Sequence, residues 1–289
     1  MKKIQDSVII ICGIVRDAER GLIANVPVIK ALCNKCHDYR VVVFENDSKD
    51  RTKTLLKEWS DVDPERIHCI CTDTDGKKTI PSQKTVKTNR FFCHARIDKM
   101  NRLRNQYLDY VEQQGWKGDY LMVVDLDVAK LNTDGILSSF ETNIVWDAIT
   151  AFGYSLSPRL KRRYHDTYAL TKWGEQTIPQ TEAMIIRYAD ELGGLKTSDD
   201  LIRVYSAFGG LAVYRFEAVQ GLRYSVVENN DPQVEVHSEH VGLYKQMVER
   251  GFDKFYINPA MRILYQRVTF KIAWESLKRK VCKLLDSAL

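Results

Sequence analysis

The chain lacks any apolar run that could cross a bilayer. The longest near the amino end, Val8 to Val15, has eight residues, against the ~20 that a membrane helix needs. Asp6 precedes it and Arg16-Asp17 follows, so the charge layout of a secretory leader is missing as well, and the expected compartment is the cytoplasm. A strong excess of one charge is also absent. With 43 Lys and Arg against 38 Asp and Glu, the net +5 falls short of a dedicated nucleic-acid binder, and no nucleic-acid partner is expected. The mild positive balance suits small anionic ligands or an anionic membrane surface. Seven cysteines, an odd number, exclude a complete intrachain disulfide framework and fit a reducing compartment. Cys33-Asn34-Lys35-Cys36-His37 has the spacing of a haem attachment, and Cys69 and Cys71 form a second close pair. Cys-x-Cys is poor zinc spacing, so free, largely buried thiols are expected. Repeats and low-complexity tracts are lacking too. One domain, or one with a small appendage, remains.

What is present is an alternation of elements. Val8 to Val15 reads as a strand covered on both faces of a parallel sheet. A helix around Asn25 to Cys36 follows, then a second buried strand from Arg40 to Glu45. "TKTLLKEW" opens a helix with Leu55, Leu56 and Trp59 on one side and Ser48 or Asp50 as its cap. "RIHCIC" is a third strand, which completes the doubly wound α/β pattern. Residues 73–90 show no periodicity and read as either a binding loop or a solvated excursion. A long helix from about Ala95 to Gln114 leads to a strand, Tyr120 to Val124, and a helix from about Thr133. "WDAITAFGY" is a further strand, and past residue 155 the pattern becomes mixed. The expected fold is α/β: a single domain over 1–267 with a mainly parallel central sheet, its doubly wound half at 1–132 and its mixed half at 133–267.

Open parallel sheets bind ligands at the carboxyl ends of their strands. Three chemical clusters fall there: Arg16-Asp17, Glu45-Asn46-Asp47-Ser48 and Asp125-Leu126-Asp127. Strand alternation would put Asp125 and Asp127 on one side, where two carboxylates repel unless positive charge holds them. A hard divalent ion, Mn²⁺ or Mg²⁺, suits that pair and completes its shell with substrate phosphate oxygens. Taken alone, Asp-x-Asp reads equally well as a strand end with solvated carboxylates. With Glu45 placed for a base or ribose, the layout fits a nucleoside-diphosphate sugar.

Particular segments sharpen this. "FENDSKDRT" is similar to the acidic strand-end motif of A-type glycosyltransferases, and "VVDLDV" to their Asp-x-Asp motif. "RIDKMNRLRNQYLD", "YHDTYAL", "YSAFGGLAVYRFEAV" and "SEHVGLYKQMVERGFDKFYINPAMRILY" resemble, in order, segments of the fungal capsule-associated (cryptococcal) α-mannosyltransferase family. The matches run from about residue 40 to 265. The resemblance implies an A-type glycosyltransferase fold whose first half binds nucleotide and whose second binds acceptor. It implies metal-dependent transfer of a sugar, with mannose from GDP-mannose as a candidate, to a hydroxyl of a glycan or lipid-linked acceptor. Retention of configuration and a role in capsule or surface polysaccharide synthesis go with it. Carried over residue by residue, it implies donor contacts from Arg16, Glu45, Asp47, Ser48, Arg96, Arg104, Asp125, Gly209 and Gly210. It also implies metal ligation by Asp125 and Asp127, to which His237 or His240 could add a further ligand although the family pattern has a cysteine at position 240, and catalysis by Glu239 and Asp166.

Each of these has a plainer alternative. Arg96 and Arg104 could belong to a solvated basic face, and Gly209-Gly210 could mark a β-bulge. Glu239, directly behind the good cap Ser238, could serve the helix dipole alone. His240 could be structural, and Tyr164, Tyr168 and Trp173 could pack rather than stack on acceptor sugars. Residues 268–289 carry an apolar face and five Lys or Arg, the composition of a basic amphipathic helix that could meet the inner face of a membrane or pack on the domain. Rival functions are a sugar nucleotidyltransferase, for which "GIVRDAERG" lacks paired glycines, and a non-enzymatic membrane-surface module.

Overall fold

Five elements alternate through the first part of the chain: β1 (Val8–Val15), α1 (Glu19–Cys33), β2 (Asp38–Asn46), α2 (Thr52–Ser60) and β3 (Ile67–Thr72). Then come α3 (His94–Gln113), β4 (Tyr120–Val124), α4 (Thr133–Glu141) and β5 (Ala148–Leu156). The mixed half holds β6 (Arg162–Tyr164), β7 (Thr171–Lys172), α5 (Glu182–Gly193), β8 (Ile202–Ser206), β9 (Leu211–Arg215), the short α6 (Phe216–Val219), α7 (Glu239–Glu249) and β10 (Phe255–Leu264). The structure, a computed structural model, describes residues 1–73, 80–157, 160–266 and 274. The expected amphipathic helix at 268–289 lies outside the described residues, apart from Trp274.

The strands form one sheet in the order β3-β2-β1-β4-β9-β5-β10-β8-β7, with β6 on β5. β3, β2, β1 and β4 are mutually parallel, and so are β5 and β10. β9 runs antiparallel between β4 and β5 and joins the two parallel sets into one sheet. Alternate side chains of β1 enter two cores. Ile9, Ile11 and Val15 pack with Leu22, Ile29 and Leu32 of α1, while Ile10 and Cys12 pack with Tyr107, Leu108 and Val111 of α3. A strand covered by helices on both faces has no polar side, which explains its unbroken apolar sequence.

Three local expectations need correction. α1 starts at Glu19, well before Asn25, because its first amides are capped from another loop. Thr52 Oγ1 accepts the Ala18 amide (2.7 Å) and Asp50 Oδ2 accepts the Glu19 amide (3.0 Å). Ser48 does not cap α2; its hydroxyl accepts the Asp17 amide (2.9 Å), and it is Asp50 Oδ1 that takes the Thr52 amide (3.0 Å). The acidic pair owes nothing to strand alternation, since β4 ends at Val124 and Asp125 to Asp127 lie in the turn beyond it. Cys12, Cys33, Cys36, Cys69, Cys71 and Cys93 are free thiols, and burial raises those of Cys33, Cys36 and Cys69 to about 12.

Candidate active site

The carboxyl ends of β1, β2 and β4 open on a cavity of about 300 Å³. Arg16 and Asn46 reach it from the first two strands, and Asp125 and Asp127 from the turn after β4. α3 contributes Arg96 and Arg104, and the amino end of α7 contributes Glu239 and His240.

The acidic turn is held from both sides. Leu126 is fully buried between the two aspartates. Asn25 of α1, also fully buried, donates from Nδ2 to the carbonyls of Leu126 (3.1 Å) and Val128 (2.7 Å), and its Oδ1 accepts the Leu131 amide (2.9 Å). One turn earlier on α1, a Cβ at Gly21 would stand 2.4 Å from the Leu126 carbonyl oxygen, so only glycine lets helix and turn meet. On the other side the Asp125 amide donates to the Gly210 carbonyl (2.9 Å). Asn25→Leu strands one amide and two carbonyls in the core, where each unpaired group costs about 1–3 kcal/mol. It is expected to lower both the thermal midpoint and turnover, by several degrees and severalfold; normal turnover in a destabilised variant would show that the turn keeps its shape without Asn25.

Arg104 is the positive charge that the acidic turn requires. Its Nη2 lies 3.4 Å from Asp125 Oδ1 and its Nε 3.0 Å from Glu239 Oε1, with the guanidinium over the Phe208 ring at 4.9 Å. The residue is 4% exposed. Burial opposes its charge, but Asp125, Tyr107 and Glu239 together hold it well above the usual arginine range. Burial is likewise the main influence on Asp125 and raises it to about 7; Arg104 pulls it down while Asp127, Asp166 and Glu239 push it up. Asp166, raised to about 6 by burial and then by Glu239, is anchored by the Gly209 amide (3.1 Å). Glu239 goes the other way. Burial works against its charge, yet His240, Arg104 and Arg96 bring it down to about 2.

Eight of the expected site residues therefore meet in one cavity: Arg16, Arg96, Arg104, Asp125, Asp127, Asp166, Glu239 and His240. Five do not line it. Glu45 is wholly buried and turned to its own loop, where Oε1 accepts the Ser48 amide (2.6 Å); its neighbour Asn46 faces the cavity instead. Asp47 has a left-handed backbone (φ 58°), and Ser48 ties the β2 loop to the β1 loop. Gly209 and Gly210, both at positive φ (65° and 88°), work through their backbones, which anchor Asp166 and Asp125. Of the aromatic candidates, Tyr168 lines the cavity and bonds its hydroxyl to the Val236 carbonyl, Tyr164 packs against Phe152, and Trp173 lies under Arg203. Reading the sequence missed Asn25 and Gly21, and also His165 and Tyr265, whose rings stack at 4.0 Å in the cavity wall.

Asp125 and Asp127 offer the hard oxygens that Mn²⁺ or Mg²⁺ takes, in a cavity where four carboxyls outnumber three guanidiniums. His240 is not grouped with them: among the described residues no three His, Cys, Asp or Glu side chains stand close enough to hold an ion by themselves. Two carboxylates are nonetheless enough for an ion that keeps water and phosphate ligands. The raised carboxyls make this binding depend on pH. A group moved from 3.8 to about 7 favours the fold while protonated, and that stability is lost as pH rises between those values. A cation competes with protons for the same oxygens. The rise in thermal midpoint on adding Mn²⁺ is therefore expected to be larger at pH 8 than at pH 5.5, and an equal rise at both would place the cation elsewhere.

An acidic turn at the carboxyl end of a parallel strand, beside a buried arginine ion-paired to it, is the arrangement expected of the A-type glycosyltransferase class. Residues 23–245 match the model of the family described as Cryptococcal mannosyltransferase 1, and the chain belongs to that family. No curated protein matches it in sequence. Among solved structures it is similar to the mannosyltransferase PcManGT from Pyrobaculum calidifontis, in complex with GDP-Man and Mn²⁺ (12% identity, TM-score 0.48). The alignment covers 92% of this chain and 58% of that one, so the chain spans little more than half the length of that protein. It is also similar to glucosyl-3-phosphoglycerate synthase from Mycobacterium tuberculosis, in complex with Mn²⁺, UDP and phosphoglyceric acid (11% identity, TM-score 0.45, 97% of this chain and 78% of that one). Among the described residues no helix is long and apolar enough to cross a membrane.

Proposed function

We propose that the protein moves a sugar from a nucleoside diphosphate to a hydroxyl of a glycan or lipid-linked acceptor, with a divalent cation on Asp125 and Asp127. The observation that carries this reading is that both aspartates, Arg104 and Glu239 face one cavity at the carboxyl ends of the parallel strands. The family membership makes mannose from GDP-mannose the first donor to try. Asp125 and Asp127 would hold the cation, which would supply positive charge to balance that of the departing diphosphate. Arg16 and Arg96 add positive charge at the same wall.

Two carboxyls in one cavity with their proton affinities pushed apart suit two roles. Glu239, ionised throughout the neutral range, opposes the positive charge that develops at the anomeric carbon. Asp166, at about 6, takes the proton of the incoming hydroxyl. A fixed anion on one side of the sugar leaves the hydroxyl the face vacated by the diphosphate, and the configuration is retained. A capsule or surface polysaccharide is the acceptor class that the family suggests, and a peripheral contact of the tail with a membrane would bring a lipid-linked acceptor within reach.

The test is release of nucleoside diphosphate from a panel of GDP-, UDP- and dTDP-sugars, with Mn²⁺, with Mg²⁺ and with chelator. GDP-mannose turnover that chelator abolishes is the expected result. Release from no donor, or undiminished release in chelator, would overturn the reading.

A further inference from the structure

We propose that His240 hydrogen-bonds a hydroxyl of the transferred sugar and thereby selects which sugar the cavity accepts. This rests on the sugar-transfer reading above and adds to it a specificity residue.

The imidazole is 2% exposed and lies in the cavity wall. It stacks on Phe208 (4.0 Å between centroids, 17° between planes) and meets Tyr224 edge-on (5.6 Å, 86°), so its plane is fixed. Neither ring nitrogen has a hydrogen-bond partner among the described residues. The nearest acidic oxygen, Glu239 Oε1, is 3.6 Å from Nε2 and beyond hydrogen-bond reach. Buried polar groups are rarely left unpaired, and one that is, in the wall of a ligand cavity, points to a partner on the ligand.

The chemistry of that partner follows from the ring's charge. The buried ring is enclosed by Phe208 and Tyr224, and the Arg104 guanidinium lies over the same two rings (4.9 and 5.9 Å), surroundings that disfavour a second positive charge and keep the imidazole neutral. A neutral imidazole has one donor and one acceptor nitrogen. A phosphate oxygen can only accept, whereas a sugar hydroxyl both gives and takes. The position agrees with the sugar-transfer reading: His240 directly follows Glu239, the carboxylate that this reading places at the anomeric carbon, and Arg104 links Glu239 to Asp125 of the acidic turn.

The experiment compares GDP-mannose with its 2-, 3-, 4- and 6-deoxy analogues in Mn²⁺-dependent release of GDP, using wild type and His240→Phe. A site that hydrogen-bonds a hydroxyl discriminates strongly against its loss, so wild type is expected to reject one analogue by about a hundredfold or more in kcat/KM. His240→Phe should shrink that ratio to within about fivefold while leaving discrimination against the other analogues intact. Because the substitution removes an unpaired polar group and keeps a stacked ring, the ligand-free thermal midpoint should hold or rise. A variant that keeps every wild-type ratio, or a midpoint that falls by several degrees, would overturn the assignment. So would a wild type that uses all four analogues as well as GDP-mannose, a result that needs no variant to fold. Release from no sugar nucleotide at all would remove the sugar-transfer reading and this inference with it, whereas an active enzyme indifferent to the hydroxyls removes the inference alone.

Discussion

Asp125→Asn should lower kcat/KM by about a thousandfold, the scale of losing one preorganised electrostatic contact to a developing charge, and should do so without unfolding the protein. The exchange is close to isosteric and leaves the Asp125 amide on the Gly210 carbonyl. In the ligand-free fold the carboxyl is a liability: burial lifts it to about 7, and Asp127, Asp166 and Glu239 all repel its charge. Removing that charge relieves the repulsion, while Arg104 keeps Glu239 as its closest partner. The midpoint at pH 8 without cation should therefore hold or rise, and its response to Mn²⁺ should largely vanish. Thermal unfolding with and without Mn²⁺, measured beside steady-state kinetics on one preparation, separates the possibilities. A variant that loses activity yet still gains the full Mn²⁺ stabilisation would move the cation away from this turn.

The acidic pair could be read from the sequence because it breaks a simple local rule: two charges directly after five buried apolar residues, Tyr120 to Val124. The parallel strands were equally legible, since burial on both faces writes itself as a continuous apolar run. What holds the pair was not. Asn25 sits inside an ordinary helical sequence, and its bond partners Leu126, Val128 and Leu131 lie more than a hundred residues away. Gly21 looks like a weak helix residue until the turn is packed on it. The true start of α1 was hidden for the same reason, its caps being supplied by Asp50 and Thr52 across the sheet end. The placement of Glu45 is likewise set by backbone that motif spacing does not show. A carboxylate at a strand end looks available to a ligand, but the left-handed turn at Asp47 brings the Ser48 amide back onto it and leaves Asn46 at the cavity. Motif spacing names the residues near a site; the backbone turn decides which of them face it.

Glu239→Gln should lose both turnover and stability, and the pH dependence tells why. The side chain is not merely a first-turn glutamate serving the helix dipole, because its Oε1 accepts from the Nε of the buried Arg104 at 3.0 Å. A dipole role alone would be worth at most about 1 kcal/mol. A carboxyl held well below its ordinary 4.5 beside the Arg104 guanidinium adds stability that is present above pH 4.5 and lost as pH falls towards 2. The glutamine keeps the shape but leaves the Arg104 charge with the more distant Asp125 as its remaining acidic partner. Its midpoint at pH 7 should drop by several degrees, and the wild type's loss of stability between pH 4.5 and 2 should become shallower in the variant. If the carboxylate also faces the anomeric carbon, kcat should fall by about a hundredfold or more with donor KM little changed, since that interaction strengthens only in the transition state. A lowered midpoint with normal kcat would make Glu239 a partner of Arg104 and nothing more. An unchanged midpoint would instead show that Arg104 does not depend on it, and the ion pair at the centre of this cavity would have to be redrawn.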